Sequence, residues 1–382
     1  MKIAHWSLVA LVLCGGLSDA QTRIATSERY KPIVPAGGYA WSDQPRSYWP
    51  TTEWLASEPD AAGIDAARLE GALTAAREGG LIRAILMIRG GRIVVEQYMH
   101  GGAREQSTEV WSVTKSIVSA LIGVAVQQGH IESIDDRVVK YLPDYPELGE
   151  LTIRHVLMHT TGLEWTEAGD DFVAWIASED PVTDAAGRER LHEPGEVFLY
   201  SSGNSHILTA LLAGATGKSP GEYAQENIFD PLGISFTPLR EPRHDVTWES
   251  YLVRTPHAWK TVRNGIELGA FGLSMTARDM ARFGYLYLNK GRWEDRVLID
   301  EAWVARSTWD LVRVSPNFGF GLHWVIARRG GHLAFNADGW GGQIICVVPS
   351  LDLVVVIKSE AEEPAAHGYY QVLADLIAAV ND

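Results

Sequence analysis

Cysteine is almost missing from this chain. Cys14 and Cys346 are its two cysteines, and Cys14 falls in a stretch that reads as a cleavable export leader, so the mature chain would keep Cys346 alone. That excludes a disulfide within one chain and a cysteine-built metal cluster. Basic charge is also short: 33 Lys and Arg stand against 48 Asp and Glu, for a formal net charge of -15. A field of that sign repels nucleic acid and anionic membrane surfaces, which leaves small neutral or cationic molecules as the expected partners. The apolar runs are too short for a comfortable transmembrane helix, so no stable membrane insertion is expected, and there is no internal repeat or low-complexity tract.

What is present is an ordinary globular composition, 46% hydrophobic over 382 residues, with material for one large core or two domains. The leader is read over residues 1–20. Lys2 supplies a basic start, Ile3 to Leu17 is mainly apolar, and Ser18-Asp19-Ala20 carries the small residues that a signal peptidase needs, with cleavage expected after Ala20. Leu13 is too large for the small residue that usually precedes a lipid-modified cysteine, so simple cleavage is expected rather than lipid attachment at Cys14. A secreted or periplasmic location follows.

One stretch organises the rest: Trp111-Ser112-Val113-Thr114-Lys115-Ser116, followed by the apolar run Ile117 to Val126. On a helix, residues three apart share a face, so the Ser112 hydroxyl and the Lys115 amine are expected one above the other at its first turn. The unpaired amides of a helix N-terminus favour an alkoxide on Ser112 and disfavour the ammonium form of Lys115. A run that is apolar all round is buried on every side, and burial lowers a lysine pKa further. A nucleophile beside a base is the chemical reading; an ordinary helix start is the bland one. No other Ser-x-x-Lys occurs in the chain.

Taken in order, residues 21–60 are rich in aromatic residues and proline without a period, and read as an extended N-terminal arm. Asp65 is expected to cap a helix through Leu69, Leu73 and Ala76 that ends at Gly79-Gly80. Arg83 to Ile88 and Ile93 to Tyr98, joined by Arg89-Gly90-Gly91-Arg92, predict a hairpin. The middle is helical and loop-rich, with helices near Ile153 to Met158, Asn204 to Ala215, Glu222 to Ile228 and Ala277 to Asn289. Strand character returns at Gly319 to Ile326, Gln343 to Val348 and Leu353 to Ile357, and a closing helix carries Tyr369, Leu373, Leu376, Ile377 and Val380. The expected fold is α+β: one antiparallel sheet completed by both chain ends, with a helical domain inserted between them. The division is a catalytic domain over 61–382, its α/β part about 61–130 and 290–382 and its helical part about 131–289. The cleft is expected at their junction.

Two loops carry further groups. Tyr200-Ser201-Ser202-Gly203-Asn204 follows the turn Pro194-Gly195-Glu196 and places a tyrosine before a helix, where it is expected to enter a cleft. Asn336-Ala337-Asp338-Gly339-Trp340-Gly341-Gly342-Gln343 reads as a glycine-rich loop whose backbone can approach a ligand and aim an amide at it. His155 and His159 have helical spacing for a metal but lack the Glu of His-Glu-x-x-His. Gly203-Asn204-Ser205-His206 is half a nucleophile elbow with Ile207 in place of the closing glycine. For Trp165 and Trp175 the sequence does not choose between cleft wall and packing.

Together these segments resemble the penicillin-binding and β-lactamase-like serine hydrolases, and within them the class C β-lactamases, the family VIII carboxylesterases and the 6-aminohexanoate-dimer hydrolases. The resemblance runs from about Ile64 to Val380 and includes Leu151 to Leu163, Asp230-Pro231-Leu232-Gly233 and Gly272 to Asp279. It implies Ser112 as acylated nucleophile, Lys115 as its base partner and Tyr200 as the tyrosine of the second motif. The third motif corresponds to Ala337-Asp338-Gly339, with an oxyanion amide from Trp340 beside that of Ser112. Ser202 and Asn204 match the Tyr-x-Ser-x-Asn of the 6-aminohexanoate-dimer type, and both are expected to contact substrate, as are Gly339 and Asp338. Two departures bear on substrate. Ser202 stands where lactamases commonly have asparagine, and Ala337 where a basic residue helps hold a β-lactam carboxylate, which Asp338 would repel.

The expected activity is therefore hydrolysis of an ester, amide or peptide-like substrate through a Ser112 acyl-enzyme, needing neither metal nor organic cofactor. β-Lactamase or D-Ala peptidase action is the alternative within the family. The alternative of another class is a penicillin-binding sensor that acylates without turnover.

Overall fold

The computed structural model describes residues 22–23, 32–237, 255–315, 317–360 and 368–381. The leader read over residues 1–20 lies outside the described residues, and no helix among them is long and apolar enough to cross a membrane.

Eight antiparallel strands form the central sheet: β1 Ile82–Arg89, β2 Arg92–Tyr98, β3 Val312–Ser315, β4 Phe318–Phe320, β5 Val325–Arg329, β6 His332–Gly339, β7 Gln343–Val348 and β8 Leu353–Ser359. They lie in the order β2-β1-β8-β7-β6-β5-β4-β3, so the pairing of β1 with β8 joins the two ends of the chain, as an α+β fold of this kind requires. The β1–β2 turn places Gly90 and Gly91 at φ 57° and 80°. Two consecutive left-handed residues make the primed turn whose twist suits a two-residue hairpin.

Six helices matter for the site: α1 Ala66–Gly79, α2 Val113–Gln127, α3 Gly169–Ala177, α4 Ser202–Thr216, α5 Ala277–Leu288 and α6 Gly368–Ala378. The Asp65 carboxylate caps α1 by accepting from the amides of Ala67 and Arg68, and Gly80 closes it in the left-handed region. Alternate residues of the sheet face different layers. Ile85, Met87, Val355, Ile357 and Cys346 pack with α1 and α6, while Leu86, Ile88, Val354, Val356, Ile345 and Phe335 pack with α2 and α5. Both faces being covered, β7 is apolar from Ile344 to Val348 and β8 from Leu353 to Ile357, without alternation. α5 lies against β7 and β8, with Gly284 at the contact: a Cβ there would meet Ile345 and Val354 at 2.7 Å. It therefore belongs to the sheet layers and not to the inserted helical part in which its sequence position had put it.

Two strand expectations change. Gly319 to Ile326 is a hairpin rather than one strand, because the alternation Phe320, Leu322, Trp324 runs through the turn and hides it. The loop expected from Asn336 begins only at Trp340. Residues Asn336 to Gly339 complete β6 and pair with β7, and that pairing overrides the low strand preference of Asn, Asp and Gly.

Residues 32–59 lie along the body and are tied down at intervals. The Ile33 amide donates to Asp310 at 2.7 Å, the Tyr39 hydroxyl to the Thr308 carbonyl at 2.7 Å, and the Arg46 guanidinium forks onto both oxygens of Asp352 at 2.7 and 2.6 Å.

Candidate active site

Ser112 sits at the N-terminus of α2 in helical conformation, and its hydroxyl caps no amide of the helix. The Lys115 amine is instead 2.9 Å from it. Trp111, just before, has φ 49°, a left-handed backbone in a bulky residue and so a strained position at the head of the helix. That geometry is held from behind. Thr108–Glu109 pairs with Ser274–Met275, the Val110 amide donates to the Leu273 carbonyl at 2.8 Å, and Glu109 accepts from Lys260 at 3.1 Å and from the Gly272 amide at 2.9 Å. The same strap brings the Ala270 carbonyl to 2.9 Å from the Lys115 amine.

Lys115 is 3% exposed and makes a third contact, to the Ser202 hydroxyl at 3.2 Å. Burial pulls its pKa down to about 8, against the nearby charge of Glu167, which raises it. Tyr200 closes the group from the other side, with its ring centroid 4.9 Å from the Lys115 nitrogen. Burial, then the charge of Glu167, push its phenol well above the usual range, while a hydrogen-bonding interaction with Ser112 opposes the shift. The phenol therefore stays protonated where the amine begins to lose its proton.

Behind Tyr200 lies a pair of buried imidazoles. His159 packs on the Tyr200 ring at 4.8 Å and stacks on His323 at 4.4 Å with planes 5° apart. Burial holds both in the neutral form, His323 down to about 3. The helical spacing of His155 and His159 is lost because the helix Ile153–Leu157 ends before His159, which has φ 55°. His155 accepts from the Thr152 amide as part of a capping box, and His159 accepts from the Ser201 amide. Ser205, in the half-elbow Gly203 to His206, is buried in α4 and bonded to His323.

The strand β6 runs past Ser112. A Cβ on Gly339 would lie 2.3 Å from the Val110 carbonyl and 3.3 Å from the Ser112 amide, so only glycine permits this approach. Trp340 follows it in the turn, with its ring edge-on to Trp111 at 4.9 Å, and Trp111 packs in turn on Phe271 at 5.7 Å. These rings make an aromatic wall beside Ser112. Trp165 is part-buried and edge-on to the fully buried Trp175, which divides the two: Trp175 packs, Trp165 stands nearer the site.

The remaining expected residues fall further off. Asp338 does not face Ser112. One residue along a strand reverses the side, and while Ala337 turns to the α2 layer, Asp338 turns to α6, where the Tyr370 hydroxyl donates to it at 3.1 Å. Its charge still adds to the upward shift of Tyr200. Asn204 is buried at the first turn of α4, accepts from Thr161 at 3.3 Å and leaves its amide nitrogen without a partner among the described residues.

Glu167 was not expected. Its carboxylate accepts from the Ser202 amide, the Ser202 hydroxyl and the Trp165 indole at 2.6, 2.7 and 2.6 Å. Gly203 lets Trp165 approach: a Cβ there would be 2.5 Å from its ring and 3.0 Å from Ala185. Gly203→Ala is expected to push the ring and the Ser202 turn apart, costing about 1–3 kcal/mol. Thermal melting together with ester turnover checks this, both falling.

The family model for beta-lactamase matches residues 67–379. The chain belongs to the beta-lactamase family. It is thus a member of a superfamily of serine hydrolases. This beta-lactamase-family chain is 24% identical to a penicillin-binding protein of Bacillus subtilis (strain 168), over 64% of its own length and 58% of that relative's. It is 22% identical to the 6-aminohexanoate-dimer hydrolase of Paenarthrobacter ureafaciens, over 78% of this chain and 77% of that protein. Among solved structures, EstCE1, a hydrolase with promiscuous acyltransferase activity, superposes with a TM-score of 0.66 at 19% identity, covering 84% of this chain and all of that one, 100%. These structural likenesses carry the fold.

Proposed function

We propose that the protein is an exported serine hydrolase that cleaves carboxylic ester or amide bonds through a Ser112 acyl-enzyme. The observation that carries this is the Lys115 amine, buried, 2.9 Å from the Ser112 hydroxyl and with its pKa lowered to about 8. Lys115 takes the Ser112 proton as the hydroxyl oxygen attacks the carbonyl carbon. The amides of Ser112 and Trp340 receive the oxyanion, each such donor being worth about 3 kcal/mol of barrier. Tyr200, protonated, gives its proton to the leaving oxygen or nitrogen and regains one from Lys115. Water then attacks the acyl group, its proton returning through Tyr200 and Lys115 to Ser112.

The substrate favoured is uncharged at the acyl side. Ala337 supplies no cation at the third-motif position, Glu167 brings negative charge, and Trp111, Trp340 and Phe271 offer apolar wall. A linear amide finds support in the likeness to a 6-aminohexanoate-dimer hydrolase. β-Lactamase or D-Ala peptidase action is the second reading, favoured by the penicillin-binding relative.

Intact-mass spectrometry of the purified protein tests the reading. Mixed in turn with a short-chain nitrophenyl ester, a linear amide, a cephalosporin and a D-Ala-D-Ala peptide, the protein is expected to form product from ester or amide and return to its native mass. A lasting adduct without product would assign it instead as a sensor.

A further inference from the structure

The Ser202 hydroxyl lies between two groups that compete for it, Lys115 at 3.2 Å and Glu167 at 2.7 Å. An ionised carboxylate only accepts, so the Ser202 proton is committed to Glu167 and the Ser202 oxygen turns its lone pairs to Lys115. The amine then donates one N–H to Ser202 and one to the Ala270 carbonyl at 2.9 Å. A neutral amine has two N–H bonds and one lone pair. With both N–H bonds assigned, the lone pair is left for the third neighbour, Ser112.

We propose that Glu167 is a positioning residue: acting through Ser202, it sets the orientation of the Lys115 amine so that its lone pair faces the Ser112 hydroxyl. This rests on the acyl-enzyme reading above. Glu167 touches neither Ser112 nor the reacting carbonyl in that scheme, and it is held to its task by the Ser202 amide and the Trp165 indole, both at 2.6 Å.

Its charge has a second effect. The titratable groups around the amine are Tyr200 against it, His159 and His323 stacked behind, and Glu167 across Ser202. Burial keeps the two imidazoles neutral and the phenol protonated, whereas Glu167 stabilises the ammonium and so opposes the burial that lowers the Lys115 pKa. Glu167 therefore orients the base and also holds back its loss of a proton. Glu167→Gln keeps an oxygen for the Ser202 amide and the indole but turns an N–H on the Ser202 hydroxyl. That hydroxyl then donates to Lys115 and competes with Ser112 for the lone pair.

The test is the rate at which a fluorophosphonate probe labels Ser112, followed across the neutral and alkaline range. Glu167→Gln is expected to lower the plateau rate about tenfold and to move the acid limb to lower pH. Ser202→Ala should lower the plateau by a similar factor without moving the limb to lower pH, because the carboxylate stays. Combined, the two should cost no more plateau rate than either alone. An acid limb unmoved in Glu167→Gln, or plateau losses that multiply, would overturn the proposal. Should Glu167→Gln fail to fold, a wild-type plateau in Ser202→Ala overturns it equally. Labelling that survives Ser112→Ala would instead remove the acyl-enzyme reading beneath it.

Discussion

Ser112→Ala is expected to lower kcat for a short-chain ester by on the order of 10^4 to 10^6, the range found when a nucleophile is deleted from a set that acts as a unit. Labelling by a fluorophosphonate should vanish with it. The fold should hold, for a local reason. The Ser112 side chain caps no amide of α2, and removing it costs a contact to Lys115, whose amine keeps Ser202 and Ala270, and the interaction with the Tyr200 phenol. A circular dichroism spectrum and melting temperature close to those of the native protein would therefore accompany the loss. Turnover or labelling that persists at the native rate would show the reacting hydroxyl to be elsewhere.

That the start of α2 could be read from sequence has a physical basis. The adjacency of Ser112 and Lys115 and the burial of the amine follow from local rules there: three-residue spacing on a helix and an apolar run that demands burial from every side. The Gly90-Gly91 hairpin and the Asp65 cap were legible for the same reason, since a left-handed turn or an orphan amide is satisfied by residues a few positions away. Long-range pairing was not. Asn336 to Gly339 has the composition of a loop and becomes a strand because it pairs along its length with β7, which also reverses the side on which Asp338 was expected. Glu167 was illegible altogether, because it meets Ser202 from 35 residues away, across the helices Gly169–Ala177 and Pro181–Ala186 and the strand Val197–Phe198. Ser112, Lys115 and Tyr200, named from motif, lie side by side in the structure, while Glu167, the group proposed to orient the amine, came only from the fold.

Lys115→Met is expected to cost on the order of 10^2 to 10^4 in kcat, the share that a positioned general base contributes. Methionine fills a similar volume and spares the cost of a desolvated amine, but it leaves the Ala270 carbonyl without its donor, so stability should fall by no more than about 1–3 kcal/mol. The wild-type pH profile gives the sign. Below a pH of about 8 the amine is an ammonium without a lone pair and cannot accept the Ser112 proton. Above it the free amine prevails, so the rate should climb through that region and then level. Tyr200 cannot substitute there, because burial holds its phenol protonated well past the same range. In Lys115→Met the climb should disappear and leave a low, nearly flat profile, read most directly from the burst of nitrophenol that reports acylation alone. A climb that remains at the wild-type pH in the variant would assign the limb to another group and remove Lys115 from the role of base.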